Sequence, residues 1–510
     1  MSDNASLSNP FYHRLQVQSM SFLTCCVGIR WATRNLLVVI VILFVAVLYW
    51  AKGAWAQGVS DVAAQVQIFL VRDIFPGPVS SYPAHLVEQR GLLYFTAVEP
   101  DHGVELWSSD GTGDGTRMVK DVQPGESDRK PEFPDLFDLT PAGDLLYFTA
   151  TGNAIGLWRS DGTEAGTFAL KEAGVSNGPG SLAAVGNTLF FVAADEQSGQ
   201  ELWKTTGTQE TTAIVKDIVA GPDSANVFDL TAVNGTLFFT ADSRRSLWRS
   251  DGTHDGTVQI LDGLLQSAIT PLTSSGSLFF FQLYTMNPPP AHYEVWRSDG
   301  TGAGTFALHN LDDQYLAAHQ VTGFNGQLYF FDKAPGRTEL VLWKSDGTPA
   351  GTTPLNPDNP TALPAGVEFT VAGNHFYYYT RNANFDITIW RSNGSLLGTQ
   401  PIAVINGGES ISVTQLTEYH GRVYFFTPHY DEQMDLWTTD GTVAGTTLLR
   451  TFEGEHLPDD DGLKAVPKMK VVADLLLFAA NDGMIGTELW GLYSPIELPH
   501  GALFLPIVGR

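Results

Sequence analysis

The stretch from Phe228, FDLTAVNGTLFFTADSRRSLWRSDGTHDGTVQIL, alternates short apolar runs with polar punctuation. DLTAV reads as a strand. Asn234-Gly235 after it is a favoured two-residue hairpin turn, because both residues tolerate positive φ. TLFFTA is β-rich and apolar with little alternation, as in a strand covered on both faces. SLWRS and TVQIL follow, joined by the turn DGTHDG. The pattern predicts a meander of four antiparallel strands and then a longer connection.

The unit recurs. Trp107, Trp158, Trp203, Trp248, Trp296, Trp343, Trp390, Trp437 and Trp490 stand in one frame at intervals of 45 to 53 residues. Such a period marks a repeat of one supersecondary unit. Nothing between units reads as an amphipathic helix, which excludes helical solenoids and leucine-rich repeats. The chain from Ile68, IFLVRDIFPG, matches the fourth strand and outgoing connection of a unit, whereas the ninth unit stops after Trp490 without a fourth strand. A ring whose N-terminal strand completes its last sheet leaves no exposed strand edge. The expected fold is therefore all-β: a single β-propeller of about nine four-stranded blades, with eight as the alternative count. The third-strand tryptophans should fill the gaps between sheets, and neighbours such as Leu106 and Trp107 should face different blades.

The motif ELWxSDGTxxGT followed by VKDI resembles that of the bacterial ELWxxDGT-repeat proteins, exported proteins sometimes labelled hyalin-like, over residues 68–493. DGTxxGT is intact in six of eight places and departs at Thr206 and Asn393, where the turns are expected to be looser or to lack whatever the Asp does. The resemblance implies an extracellular β-propeller and brings no catalytic residues.

Charge narrows the partners. The chain has 29 basic and 55 acidic residues, a net charge of −26. An acidic surface repels phosphates, so no nucleic acid partner is expected, and a membrane is expected only through the N-terminal segment. There Arg14, Arg30 and Arg34 precede the apolar run Leu36 to Trp50, and Ala54-Trp55-Ala56 offers a cleavage site between Ala56 and Gln57. Residues 1–56 thus read as a signal peptide or an N-terminal membrane anchor, 57–67 as a linker and 494–510 as a C-terminal tail. The protein should be exported, secreted or held at the cell surface, and monomeric. Both cysteines, Cys25 and Cys26, lie before the cleavage site, so the mature chain would hold no disulfide.

Candidate chemistry is sparse. Asp110, Asp161, Asp251, Asp299, Asp346 and Asp440 offer one carboxylate per turn to Ca²⁺, the one cofactor considered. That is far short of the six to eight oxygens the ion takes, and each Asp has an alternative role in its own turn. The acidic run PDDDGLK from Pro458 lacks the calcium-loop spacing and reads as a solvated loop. No serine-nucleophile, zinc or phosphate-loop motif occurs. Meander geometry puts the short, constant turns on one face. The variable loops fall on the other: VEPDHG from Val98, YTMNPPPAHY from Tyr284, KAPGRTE from Lys333 and PHYDEQMD from Pro428, with His102, His292 and His429 among them. Variable loops on a rigid scaffold carry function. Two readings follow: an exported, non-catalytic binding, adhesion or envelope-scaffold module for an extracellular protein or polysaccharide, or a secreted propeller hydrolase or lyase acting on polysaccharide.

Overall fold

A computed structural model describes residues 66–124, 136–172, 174–175, 181–262, 267–286, 290–311, 321–333, 340–355, 369–382, 386–405, 413–429, 433–453, 457–458, 464–465 and 468–495. Met1–Ala63 and Ala64–Arg510 are separate units, and the first lies wholly outside the described residues. So do Ala56 and Gln57, most of the PDDDGLK run and the tail beyond residue 495. No helix among the described residues is long and apolar enough to cross a membrane.

The described chain is a nine-bladed β-propeller. Blade 1 consists of Ala84–Gln89, Leu92–Glu99, Gly103–Ser109 and Arg117–Lys120, each antiparallel to the next. Blades 2 to 8 repeat this order at 136–172, 182–216, 228–261, 267–311, 321–354, 369–405, 414–452 and, for three strands of blade 9, at 469–493. Gln67–Arg72 supplies the fourth strand of blade 9, pairing Leu70 with Trp490 and Arg72 with Leu489. Eight complete meanders and one assembled from both ends make nine, so the lower count is set aside. The hairpins form where the sequence places turn residues: Asn234 and Gly235 take φ of 47° and 80° between the first two strands of blade 4.

The first strand of each blade lies against the first strands of both neighbours around the whole circle, so these nine strands are innermost. The core is divided into nine apolar clusters, one per joint between blades. Alternation along the third strand builds them. Trp107 lies in the joint of blades 9 and 1, and its neighbour Leu106 lies in the joint of blades 1 and 2. The same division holds at Trp343 and Leu342 and at Trp490 and Leu489. The tryptophans of blades 1 to 8 each also meet an aromatic residue across their own sheet, as in Phe330–Trp343 at 6.1 Å between ring centres.

Candidate functional site: two faces of the ring

The constant face is built from the DGTxxGT turns. In blade 5, Asp299 Oδ1 accepts from the Thr301 amide at 2.9 Å and its hydroxyl at 2.7 Å, while Ser298 Oγ accepts from the Gly300 amide at 3.0 Å. Asp110, Asp161, Asp251, Asp346 and Asp440 make the same bonds. These hydrogen bonds hold the carboxyls of Asp110, Asp161, Asp251, Asp299 and Asp346 below their ordinary range. The six carboxylates stand on six separate blades, and among the described residues no three His, Cys, Asp or Glu side chains gather as a metal site would require.

The two departing turns are not looser, which corrects the expectation. Asn393 Oδ1 accepts from the Ser395 amide at 3.0 Å and hydroxyl at 2.7 Å, reproducing the carboxylate's bonds. In blade 3 the first Asp and second Gly are replaced together, by Thr206 and Thr211. Thr211 Oγ1 accepts from the amides of Thr206 and Thr208, both at 3.2 Å. The covariation has a steric cause: a Cβ on Gly304 would lie 2.1 Å from the Asp299 carboxyl group. Gly304→Ala should therefore cost about 1–3 kcal/mol, and Asp299→Thr with Gly304→Thr should cost less than the sum of the two single changes. Denaturant midpoints of the four proteins test this, and strict additivity would contradict it.

Each turn is also seated on the preceding blade. The first glycine brings the backbone close: a Cβ on Gly162 would lie 2.4 Å from the Tyr94 hydroxyl of blade 1. Cations of the preceding blade reach into the turn's carbonyls, Arg159 Nη1 to Gly207 at 2.9 Å, Lys204 Nζ to Gly252 at 2.7 Å and Lys216 Nζ to Thr257 at 2.9 Å. Arg72 does the same to Thr116 across the closing joint.

Three glutamates that the sequence analysis did not single out are buried in the third strands. Glu105 accepts from the amides of Val122 and Gln123, and Glu201 from those of Ile218 and Val219. Glu488 accepts from Ile74, Phe75 and Ser81 amides and from Ser81 Oγ, binding the two ends of the chain together. Burial pushes Glu105 up to about 8 and Glu201 and Glu488 up to about 7, against the opposing pull of those donors. A signal was available: where Glu stands two residues before Trp in blades 1, 3 and 9, the outgoing connection reads Asp121-Val122, Asp217-Ile218 and Asp73-Ile74.

The opposite face carries the variable loops and the starts of the innermost strands. Those strands bulge at His85, Asp138 and Asp229, each with positive φ. Asp138 Oδ2 accepts from Ser181 Oγ of the next blade at 2.7 Å. Asp229 is clamped by Arg244, whose Nε and Nη2 reach its two oxygens at 2.7 and 3.0 Å. Arg244 lies over the Phe228 ring at 4.9 Å. Asp242, Ser243 and Arg244 take φ of 51°, 56° and 68°, three consecutive left-handed residues without a glycine. That geometry costs of order 1–2 kcal/mol per residue. The loop histidines are engaged separately: His102 Nδ1 with Glu99, which raises its pKa, His292 Nδ1 with the Pro290 carbonyl at 3.4 Å, and His429 with Asp435 at 3.2 Å.

No protein-family model and no curated protein matches the chain. Among solved structures it is similar to a prolyl endopeptidase, at 11% identity and a TM-score of 0.42, covering 85% of this chain and 58% of that one. It is also similar to oligopeptidase B from Leishmania major, at 14% identity and a TM-score of 0.39, covering 84% and 56%. An oligogalacturonate lyase from Vibrio parahaemolyticus has 11% identity and a TM-score of 0.33, covering 71% of this chain and 98% of that one. The chain thus spans less than two thirds of the two peptidases. These likenesses are of fold only.

Proposed function

We propose that the chain is an exported, non-catalytic binding module that presents its variable-loop face to an extracellular protein or polysaccharide. The observation that carries this reading is the division of labour between the faces. On the constant face the carboxylates and many of the cations of the repeat are used by the turns and joints themselves. On the other face the bulged innermost strands carry His85 in blade 1 but Asp138 and Asp229 in blades 2 and 4, and the loops differ in length and composition. Half-exposed aromatic residues such as Phe137 and Phe228 accompany them and suit the apolar faces of sugars or an aromatic peptide side chain.

The second reading, a hydrolase or lyase acting on polysaccharide, has in its favour Asp229 and Arg244 on one blade of this face. Against it, the two groups satisfy each other through a bidentate pair. An array of glycans and extracellular matrix and surface proteins, probed with residues 57–510, tests the binding reading. A ligand captured by this protein and lost when 98–103, 284–293 and 428–435 are replaced together by short turns is the expected result. Retention of every captured ligand after that replacement removes the assignment to this face, and release of new reducing ends from a glycan supports the enzyme.

A further inference from the structure

The constant face is not uniform around the ring. The two residues at the tip of each DGTxxGT turn are exposed, and they change in character from one side of the ring to the other. Blades 1 to 4 carry an acid at the tip: Asp114, Glu164, Glu210 and Asp255. Blades 5 and 6 carry Gly302-Ala303 and Pro349-Ala350. Blade 7 carries Leu396-Leu397 and blade 8 Val443-Ala444, with Leu397 94% and Val443 73% exposed. Three further apolar side chains are exposed at this end of the same sector: Val371 beside the inner hairpin of blade 7, Leu448 at the start of the fourth strand of blade 8 and Tyr493 at the end of the third strand of blade 9. Among the described residues, the same end of the other six blades exposes one large hydrophobic side chain, Phe168, and Arg159 lies over its ring at 4.5 Å.

Charge follows the same division. Blade 7 has Asn393 in place of the turn aspartate, and blade 9 ends without such a turn. The acids at this end of blades 7 to 9 are, among the described residues, Glu418, Asp440 and Asp474. Glu418 accepts from the Gly421 amide at 2.7 Å, Asp440 lies 4.0 Å from Arg422, and Asp474 lies 3.8 Å from His420. Arg391 packs beneath Gly441 and adds a second cation, so this sector is close to neutral in a chain of net charge −26. The polypeptide also enters the ring in this sector and at this end, since Gln67 lies opposite Tyr493 in blade 9. The 66 residues before it, with the apolar run Leu36 to Trp50, are therefore joined here. That run has 15 residues, whereas a helix needs ~20 to cross a bilayer comfortably. Exposed apolar surface of this kind marks a site of contact with protein or membrane.

We propose that the constant face of blades 7 to 9 docks on the surface of a lipid bilayer, with Leu396, Leu397 and Val443 lowered into the interface. Three observations select a bilayer. The apolar tips crown separate turns whose backbones are held by their own hydrogen bonds, so they enter a headgroup layer without reshaping the blades. The sector is near neutral, as a zwitterionic surface requires, while the acid tips of blades 1 to 4 would be repelled by anionic lipid. The chain that enters at Gln67 brings an apolar run to the same end of the ring. Binding to an interface grows with the apolar area it takes up, so the turn tips add to whatever that run contributes. Docked in this way, the ring turns its variable loops away from the membrane. The assignment stands whatever those loops bind.

Fluorescence quenching of the full chain, reconstituted into phosphatidylcholine vesicles, reads the contact. In a background of Cys25→Ser and Cys26→Ser, a thiol-reactive dye is attached at Leu397→Cys, at Val443→Cys and, on the charged side of the same face, at Asp255→Cys. Asp255 is fully exposed, as Leu397 nearly is, so these substitutions disturb no packed core. The iodide quenching constant should be on the order of tenfold smaller at 397 and 443 than at 255, as for side chains held ~5–10 Å into the boundary of headgroups and acyl chains. Lipid carrying a nitroxide should quench the dye at 397 and 443 and leave that at 255 bright. Equal quenching at all three positions, by either agent, overturns the proposal. Shielding from iodide at 397 and 443 without quenching by the nitroxide lipid also overturns it, and assigns this sector to a protein contact such as a second copy of the chain.

Discussion

Trp490→Ala is expected to destabilise the propeller by about 3–5 kcal/mol, the usual loss when a large aromatic is cut from a packed core. Trp490 is 4% exposed between blades 8 and 9, with Phe452 edge-on at 5.5 Å and Arg450 over its ring. Its own strand pairs on one side with Phe478 and on the other with Leu70, so the cavity would open beside the strand that closes the ring. Leu397→Ala is the matched control: Leu397 is 94% exposed and should change stability by no more than about 0.5 kcal/mol. Equal denaturation midpoints for the two variants would sink the idea that the tryptophans hold the ring together.

The second large effect is a loss of stability with rising pH. Glu488 has its pKa raised to about 7 by burial, against an unfolded value near 4.5, and the groups around it are neutral donors. A carboxyl whose folded pKa is raised contributes stability that is present below the unfolded pKa and is lost as pH rises through the folded one. The shift corresponds to about 3 kcal/mol at Glu488, lost between roughly pH 4.5 and 7. Glu201 behaves alike, and Glu105 extends the window to about pH 8. The turn aspartates work in the opposite sense, since their depressed pKa values make stability fall only on the acid side. Stability should therefore peak near pH 5. Denaturation midpoints between pH 4.5 and 8.5 should fall steadily for the wild type and more gently for Glu488→Gln. A midpoint that rises over this range contradicts the assignment of these groups as buried and unpaired by cations.

Much of this was legible from local pattern. Asn234-Gly235 forms a hairpin because two adjacent residues accept positive φ, a property that needs no knowledge of the rest of the chain. Trp107 and Leu106 fall into different joints because side chains alternate along a strand. The missing fourth strand after Trp490 located the closing strand in the segment from Ile68 without any coordinates, and the structure then set its register, Leu70 opposite Trp490. At the turns, local reading went astray where it treated Thr206 and Asn393 as weakened Asp residues, since Thr211 five residues on supplies the oxygen in one turn and the Asn393 amide oxygen keeps the carboxylate's bonds in the other.

The candidate sites were less legible, for a different reason. Glu105, Glu201 and Glu488 belong to a residue type that ordinarily stays in water, and their amide partners lie 17 or more residues away across a connection. Asp229 and Arg244 are 15 residues apart and meet through a bulge and three left-handed residues that no propensity rule foresees.

By itself, then, the sequence determined the blade and the closure of the ring, and the structure fixed the count at nine. Blade and closure follow from short-range periodicity, turn chemistry and a count of strands. Only the tertiary structure decided which carboxylates are buried and which cations cross between blades. Those choices depend on side chains brought together by ring closure and blade stacking, and a repeat pattern specifies that neighbours exist without specifying which of their atoms touch.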